Sequence, residues 1–191
     1  MTTLTVANQL TLLRMLLVPA FVLLVAYGLL GWALATLVVA GLTDALDGFF
    51  ARRSGQKTTL GAWLDPMADK LLLTAAFIVL TVPGTPLLTR IPLWLTVCII
   101  SRDVVIIATV AIVNLAVGRR TFPPSIYGKF ATAIYIATCL AFVVFNYLAI
   151  ETRLLDVFVY ASFGITVVSS LHYISHAASI VNASEDRADV C

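Results

Sequence analysis

Apolar stretches alternate with short polar breaks along the chain. A helix that spans a bilayer needs about 20 mostly apolar residues, and several stretches approach that length: 10–29, 31–50, 62–82, 92–117, 126–148 and 154–177. The breaks carry turn residues or charges, at Gly28 and Gly31 and in the segments 53–59, 83–86, 118–124 and 151–153. This pattern predicts an all-α integral membrane protein with six transmembrane helices. We expect one membrane domain over 1–182 and a short polar tail over 183–191.

The composition supports a membrane protein. Of the 191 residues 61% are hydrophobic and only 12% are charged, whereas soluble domains average about 25% charged residues. The net charge of +2 is small, and the basic residues do not form a continuous patch, so we expect no nucleic-acid partner.

The basic residues also predict an orientation. With the N-terminus in the cytoplasm, only Arg90 and Arg153 fall at outer ends of the apolar stretches, and the other loop and tail cations fall inside: Arg52, Arg53, Lys57, Arg119, Arg120 and Arg187. Because basic residues favour the cytoplasmic side, we expect both termini there. A bacterial inner membrane suits this arrangement.

Four aspartates stand where the second apolar stretch ends and the third begins. Asp44 and Asp47 are three residues apart and Asp65 and Asp69 are four apart, so each pair shares one helix face. The polar segment 53–59 lets the two helices fold back on each other. Clustered carboxylates repel one another unless cations hold them, and divalent metals prefer oxygen ligands. The sequence therefore predicts a polar, metal-binding cavity at the cytoplasmic end of these helices.

Small and basic residues accompany the aspartates. Gly48, Ala51 and Gly61 leave room for a ligand near the backbone, although small residues also serve close helix packing. Arg52 can hold a phosphate through two parallel hydrogen bonds. Metals beside an arginine suit a pyrophosphate group.

Other polar residues inside the apolar stretches have two interpretations each. Arg14, with Asn8 and Thr11 on the same face, either snorkels to the membrane surface or serves the site. For Arg102 and Asp103 in the fourth stretch a polar cavity is favoured over simple pairing. The four-residue spacing of His172 and His176 is more typical of polar contacts between helices than of a metal pair.

The central motif carries a family resemblance. It reads Asp44-x-x-Asp47-Gly48-x-x-Ala51-Arg52, then eight residues, then Gly61-x-x-x-Asp65-x-x-x-Asp69, and it resembles the complete signature of the CDP-alcohol phosphatidyltransferases. The resemblance implies a six-helix membrane enzyme, usually a homodimer, in which an alcohol hydroxyl displaces CMP from CDP-diacylglycerol. It implies two divalent ions, Mg²⁺ or Mn²⁺, on the four aspartates, with Asp69 also acting as the base. Gly48, Ala51, Arg52 and Gly61 would receive the CDP group.

Within that family the alcohol acceptor stays open. The stretches NQLTLLRMLLVP, GLTDALDGFFARR and LGAWLDPMADKLLL resemble those of phosphatidylglycerophosphate synthases and of cardiolipin synthases. Ser101-Arg102-Asp103 departs from the Arg-Glu pair of the former and is nearer to the latter. We expect an acceptor that carries a phosphate, because several cations remain on the aspartates' side of the membrane: Arg102, Arg119, Arg120 and Lys129.

Glycerol 3-phosphate is the favoured acceptor and phosphatidylglycerol the alternative. An ion or divalent-metal transporter is the alternative from another class, because carboxylates inside a membrane also mark ion paths. Transporters usually place such groups near the bilayer midplane, whereas these cluster at one end beside Arg52. A membrane scaffold without activity ranks last, because it leaves the costly aspartates unexplained.

Overall fold

The structure is a computed structural model that describes residues 6–54, 59–117 and 126–188. Within those ranges it contains six helices and no strand. Their bounds are α1 Val6–Ala26, α2 Leu30–Ser54, α3 Thr59–Thr81, α4 Leu93–Val117, α5 Ile126–Tyr147 and α6 Leu154–Ala188. The six helices coincide with the six apolar stretches of the sequence, except that α6 continues beyond position 177 into the polar tail.

Two of the described helical segments are long and apolar enough to cross a membrane, Tyr127–Tyr147 and Leu154–Tyr173. Shorter apolar segments lie in the first three helices, over Thr11–Ala26, Leu30–Thr43 and Lys70–Thr81. Large apolar side chains also point outward, among them Leu16 and Trp32, which are 69% and 70% exposed. Outward apolar surface of this kind suits contact with lipid.

The helices divide into two compact units, and the first comprises residues 1–91 and 139–153. In this unit α1 packs against both α2 and α3. Its buried face contains Thr11, Arg14, Phe21 and Val25, all with 0% exposure. The spacings of three, seven and four residues place them along one side of a helix.

A tight turn at Gly28 joins α1 to α2. Gly28 has a φ of +75°, a backbone conformation that disfavours residues with a Cβ atom. A Cβ atom there would also lie 3.0 Å from Cγ of Pro86. Gly31, expected as the first residue of the second apolar stretch, is the second residue of α2, where a Cβ atom would lie 3.0 Å from the Tyr147 ring. Gly31 therefore lies at the start of α2, as expected, and is also a close-packing position.

Asn146 fastens the end of α5 to the connection between α3 and α4. Its Nδ2 donates to the carbonyl oxygens of Thr89 (2.9 Å) and Phe142 (2.7 Å), and its Oδ1 accepts from the Thr89 backbone nitrogen at 3.0 Å. The connection contains irregular backbone, and a buried polar side chain thus supplies part of its hydrogen bonding.

The second unit comprises residues 92–138 and 154–191, and in it α4 packs against α6. Trp94 meets Phe163 edge to face, with ring centroids 5.4 Å apart. Between α5 and α6 two hydroxyl pairs form: Tyr135 with Thr166 at 2.6 Å and Thr138 with Ser162 at 2.7 Å. Such hydrogen bonds satisfy polar groups between membrane helices. Because the partner number on α6 falls as the number on α5 rises, the two helices run antiparallel.

Candidate active site

The aspartate motif lies on the backbone of two consecutive helices of the first unit. Asp44 precedes the end of α2 at Ser54 by ten residues, and Asp69 follows the start of α3 at Thr59 by ten. Asp47 and Asp65 are seven and six residues from the same two ends. In a helical hairpin these intervals place Asp44 level with Asp69, about 15 Å from the connection, and Asp47 nearly level with Asp65. The four aspartate side chains lie outside the described part of the structure.

The residues expected to receive a CDP group follow the same helices. Gly48, Ala51 and Arg52 occupy the last two turns of α2, and Gly61 the first turn of α3. All four are thus nearer the connection than Asp44 and Asp69. Their side-chain surroundings, like those of the aspartates, fall outside the described residues.

The donor set itself fits a divalent metal. It consists of carboxylates only, in two pairs whose members are about one helical turn apart, one pair on α2 and one on α3. Oxygen-only ligand sets suit Mg²⁺ and Mn²⁺, whereas zinc favours nitrogen and sulfur ligands. When bound, such ions neutralise charge on phosphoryl oxygens.

Arg14 is a charged residue on the helix that packs against both helices of the aspartate motif. It is fully buried on α1, the helix that packs against both α2 and α3. Snorkelling to the membrane surface leaves the charged head in water, so full burial rules that interpretation out. In the sequence, a role for Arg14 was indicated by its charge inside the first apolar stretch and by Thr11 one turn earlier on the same face.

Arg102 belongs to the second unit and has polar partners within it. Its Nη1 lies 2.7 Å from Oδ1 of Asp103, and its Nη2 donates to Oγ of Ser169 on α6. The Arg102 and Asp103 side chains are 12% and 23% exposed. Nε of Arg102 is buried and has no hydrogen-bond partner among the described residues. Asp103 therefore compensates the guanidinium charge, and Nε is left without a partner among the described residues.

A cavity of about 330 Å³ adjoins Arg102 between α4 and α6. Apolar side chains such as Val105, Phe163 and Val167 form most of its wall, and Ser101, Ser170 and Tyr173 add polar atoms. The sequence favoured a polar cavity here. The observed cavity is mainly apolar, because most of the helix positions around Arg102 carry aliphatic or aromatic side chains.

The remaining predicted acceptor residues are partly described. Lys129 is exposed in the first turn of α5, whereas Arg119 and Arg120 lie outside the described residues. The His172 ring packs on Tyr127, with centroids 4.6 Å apart, which supports the expectation of a contact between helices. The side chain of His176 is outside the described set.

These features define a class: an all-helical chain with membrane-length apolar segments and paired aspartates on its second and third helices. The family model of the CDP-alcohol phosphatidyltransferases matches residues 4–177. The chain belongs to that family.

The chain is similar to proteins named phosphatidylglycerophosphate synthase and to proteins named cardiolipin synthase. A probable phosphatidylglycerophosphate synthase of Mycobacterium tuberculosis (strain CDC 1551 / Oshkosh) is 38% identical over 130 residues, covering 64% of this chain and 57% of the relative. The cardiolipin synthase (CMP-forming) of Rattus norvegicus is 38% identical over 162 residues, covering 75% and 52%. That of Streptomyces coelicolor is 36% identical over 138 residues, covering 68% and 60%. The chain thus spans little more than half the length of these relatives.

Proposed function

We propose that this protein is a metal-dependent CDP-alcohol phosphatidyltransferase of phospholipid biosynthesis. It transfers the phosphatidyl group of CDP-diacylglycerol to an alcohol, with glycerol 3-phosphate as the favoured acceptor and phosphatidylglycerophosphate and CMP as products. The observation that carries the proposal is the complete aspartate motif on α2 and α3, in a chain whose residues 4–177 match the family model.

In this proposal Asp44, Asp47, Asp65 and Asp69 hold two divalent ions. The ions supply positive charge beside the pyrophosphate. Gly48, Ala51 and Gly61 leave space for the CDP group, and the Arg52 guanidinium binds its phosphates through paired hydrogen bonds.

The reaction is a single in-line displacement. Asp69 accepts the proton of the acceptor hydroxyl, whose oxygen attacks the lipid-proximal phosphorus. A bond forms between that oxygen and phosphorus, the pyrophosphate P–O bond breaks, and CMP leaves with the bonding electrons. No covalent enzyme intermediate is required.

The acceptor site is proposed to include Arg102, Arg119, Arg120 and Lys129. Asp103 already compensates the charge of Arg102, so the phosphate preference rests mainly on the other three cations, with Nε of Arg102, which has no partner among the described residues, as a further donor. Charge-assisted hydrogen bonds from arginine suit a phosphate group.

Phosphatidylglycerol is the second candidate acceptor, which would make the protein a cardiolipin synthase. The similarity to proteins of that name and the Ser101-Arg102-Asp103 sequence favour it. A lipid acceptor also carries a phosphate, so the same cations can serve either molecule. Glycerol 3-phosphate keeps the lead because a soluble acceptor needs no second lipid entry path.

The deciding experiment supplies CDP-diacylglycerol labelled in its lipid part to the purified protein. Parallel reactions contain glycerol 3-phosphate, phosphatidylglycerol, serine or inositol, and the labelled lipids are separated by chromatography. We expect a product with glycerol 3-phosphate, whereas a product with phosphatidylglycerol alone identifies the second candidate. Preference for serine or inositol would overturn the proposed acceptor class, and no product with any alcohol would favour a transporter.

We further propose that all six helices span the membrane, with both termini and the aspartates on the cytoplasmic side, and that the protein acts as a homodimer. The basic residues at alternate connections support the orientation. Dimerisation follows from the family resemblance, and mass measurement of the purified protein in detergent tests it.

A further inference from the structure

Arg14 stands apart among the side chains that the structure describes, because it is the one charged group with 0% exposure. A guanidinium inside a helical membrane bundle is costly unless an opposite charge accompanies it. Its partners must therefore come from the helices around α1.

The acidic residues available in this unit are few. Residues 1–91 and 139–153 contain only Asp44, Asp47, Asp65, Asp69 and Glu151. Glu151 is exposed in the connection after α5. The other four belong to α2 and α3, the two helices against which α1 packs.

Arg14 on α1 and Asp44 on α2 lie at similar distances along their helices from the turn that joins the two helices. Arg14 precedes the end of α1 at Ala26 by twelve residues, and position 42 follows the start of α2 at Leu30 by twelve. Asp44 is two residues further, about 3 Å along the helix axis. Helical side chains lean towards the N-terminus of their helix, which for Arg14 is the direction of Asp44 and Asp47.

We propose that Arg14 is a positioning residue of the metal site. Its guanidinium pairs with the carboxylate of Asp44 and keeps the aspartates of α2 and α3 assembled when no metal is bound. The inference rests on the proposed function, because bound ions are the second source of positive charge at these carboxylates. Arg14 then matters most in the metal-free protein.

The test compares apparent unfolding temperatures of the purified protein in chelator and in Mn²⁺. Removing one partner of a buried ion pair is strongly destabilising, so we expect Arg14→Met to lower this temperature by on the order of 10 °C in chelator. In Mn²⁺ the loss should be less than half as large. Arg14→Lys should retain most of the stability in both conditions, and Arg153→Met, at an exposed position, should change neither value.

A double variant separates pairing from packing. In chelator, Arg14→Met should cost much less in the Asp44→Asn background than in the wild type, because interacting residues are not additive. If Arg14→Met does not accumulate alone, recovery of the double variant supports the pairing and failure to recover contradicts it. Equal losses in chelator and Mn²⁺ with additive effects would overturn the inference. If instead Mn²⁺ fails to stabilise the wild type, the proposed metal site is wrong.

Discussion

At the scale of single residues, Asp69 is the aspartate to which the proposal gives two tasks. It is a metal ligand and also the base that takes the proton from the acceptor. Asp44 and Asp69 are each ten residues from the helix end next to the connection between α2 and α3, which suits the first task. The second task makes it separable from the other three by mutation.

Asp69→Asn keeps the size of the side chain and one oxygen ligand but removes the base. We expect turnover to fall by about 10² or more, the usual scale of general-base catalysis, while binding of CDP-diacylglycerol persists. Steady-state CMP release and a lipid-binding assay measure the two quantities. Asp156→Asn, in the exposed first turn of α6, is the control, and unchanged turnover in Asp69→Asn would place the base elsewhere.

Lys129 and Arg102, two basic residues of the proposed acceptor site, require different variants because their surroundings differ. Lys129 is exposed, so Lys129→Ala tests its charge directly. Arg102→Ala would break the ion pair between Arg102 and the half-buried Asp103, which is destabilising by itself. Arg102→Ala combined with Asp103→Asn removes both charges of that ion pair together.

We expect both Lys129→Ala and the Arg102–Asp103 double variant to lower kcat/KM for the acceptor by about tenfold or more. A lost hydrogen bond to a charged group costs about 1.5–3 kcal/mol, and the KM for CDP-diacylglycerol should not change. Kinetics with each substrate varied in turn provide the measurement, with Arg153→Ala as the control. Loss of CDP-diacylglycerol binding in both variants would remove them from the acceptor site.

At the scale of elements, local signals were enough to predict the helices. Apolar runs and the breaks between them gave bounds within a few residues for five of the six, because chain breakers and charge set helix ends locally. The close approach of Gly31 to Tyr147 could not be predicted, because Tyr147 is distant in sequence. The contacts of Arg102 with Ser169 and of Asn146 with Thr89, 67 and 57 residues apart, depend likewise on which helices become neighbours.

The turn between α1 and α2 provides a matched pair of glycine variants. Gly28→Ala should lower the free energy of unfolding by about 1–3 kcal/mol, because a left-handed alanine is strained and its Cβ meets Pro86. Gly41→Ala, inside α2 with nothing within 4 Å of the new atom, should raise it by up to about 1 kcal/mol. Unfolding in mixed detergent micelles compares the two. Equal effects would contradict the assigned turn geometry.

At the scale of the whole molecule, the sequence predicted which helices carry the aspartate motif but not that Arg14 is buried. The fixed spacing of Asp44, Asp47, Asp65 and Asp69 located the motif on α2 and α3, because spacing on a helix translates directly into a face and a height. The burial of Arg14 could not be predicted, since periodicity shows which face of α1 is polar but not which helices cover it.

The proposed orientation has its own test. In a background without native cysteines, Gln56→Cys should resist an impermeant thiol reagent added outside sealed cells, because the 53–59 segment is expected in the cytoplasm. Glu151→Cys, exposed in the connection after α5, should react readily. Rapid labelling of the cysteine at position 56 from outside would invert the topology.

Metal-dependent phosphatidyl transfer is the central claim, and CMP release from CDP-diacylglycerol tests it most directly. The purified protein is supplied with glycerol 3-phosphate, and in parallel with phosphatidylglycerol, first in exhaustive chelator and then after Mg²⁺ or Mn²⁺ is restored. The account predicts no CMP in chelator and full recovery with either metal, because four unscreened carboxylates cannot hold a pyrophosphate. Full CMP release in chelator would contradict it.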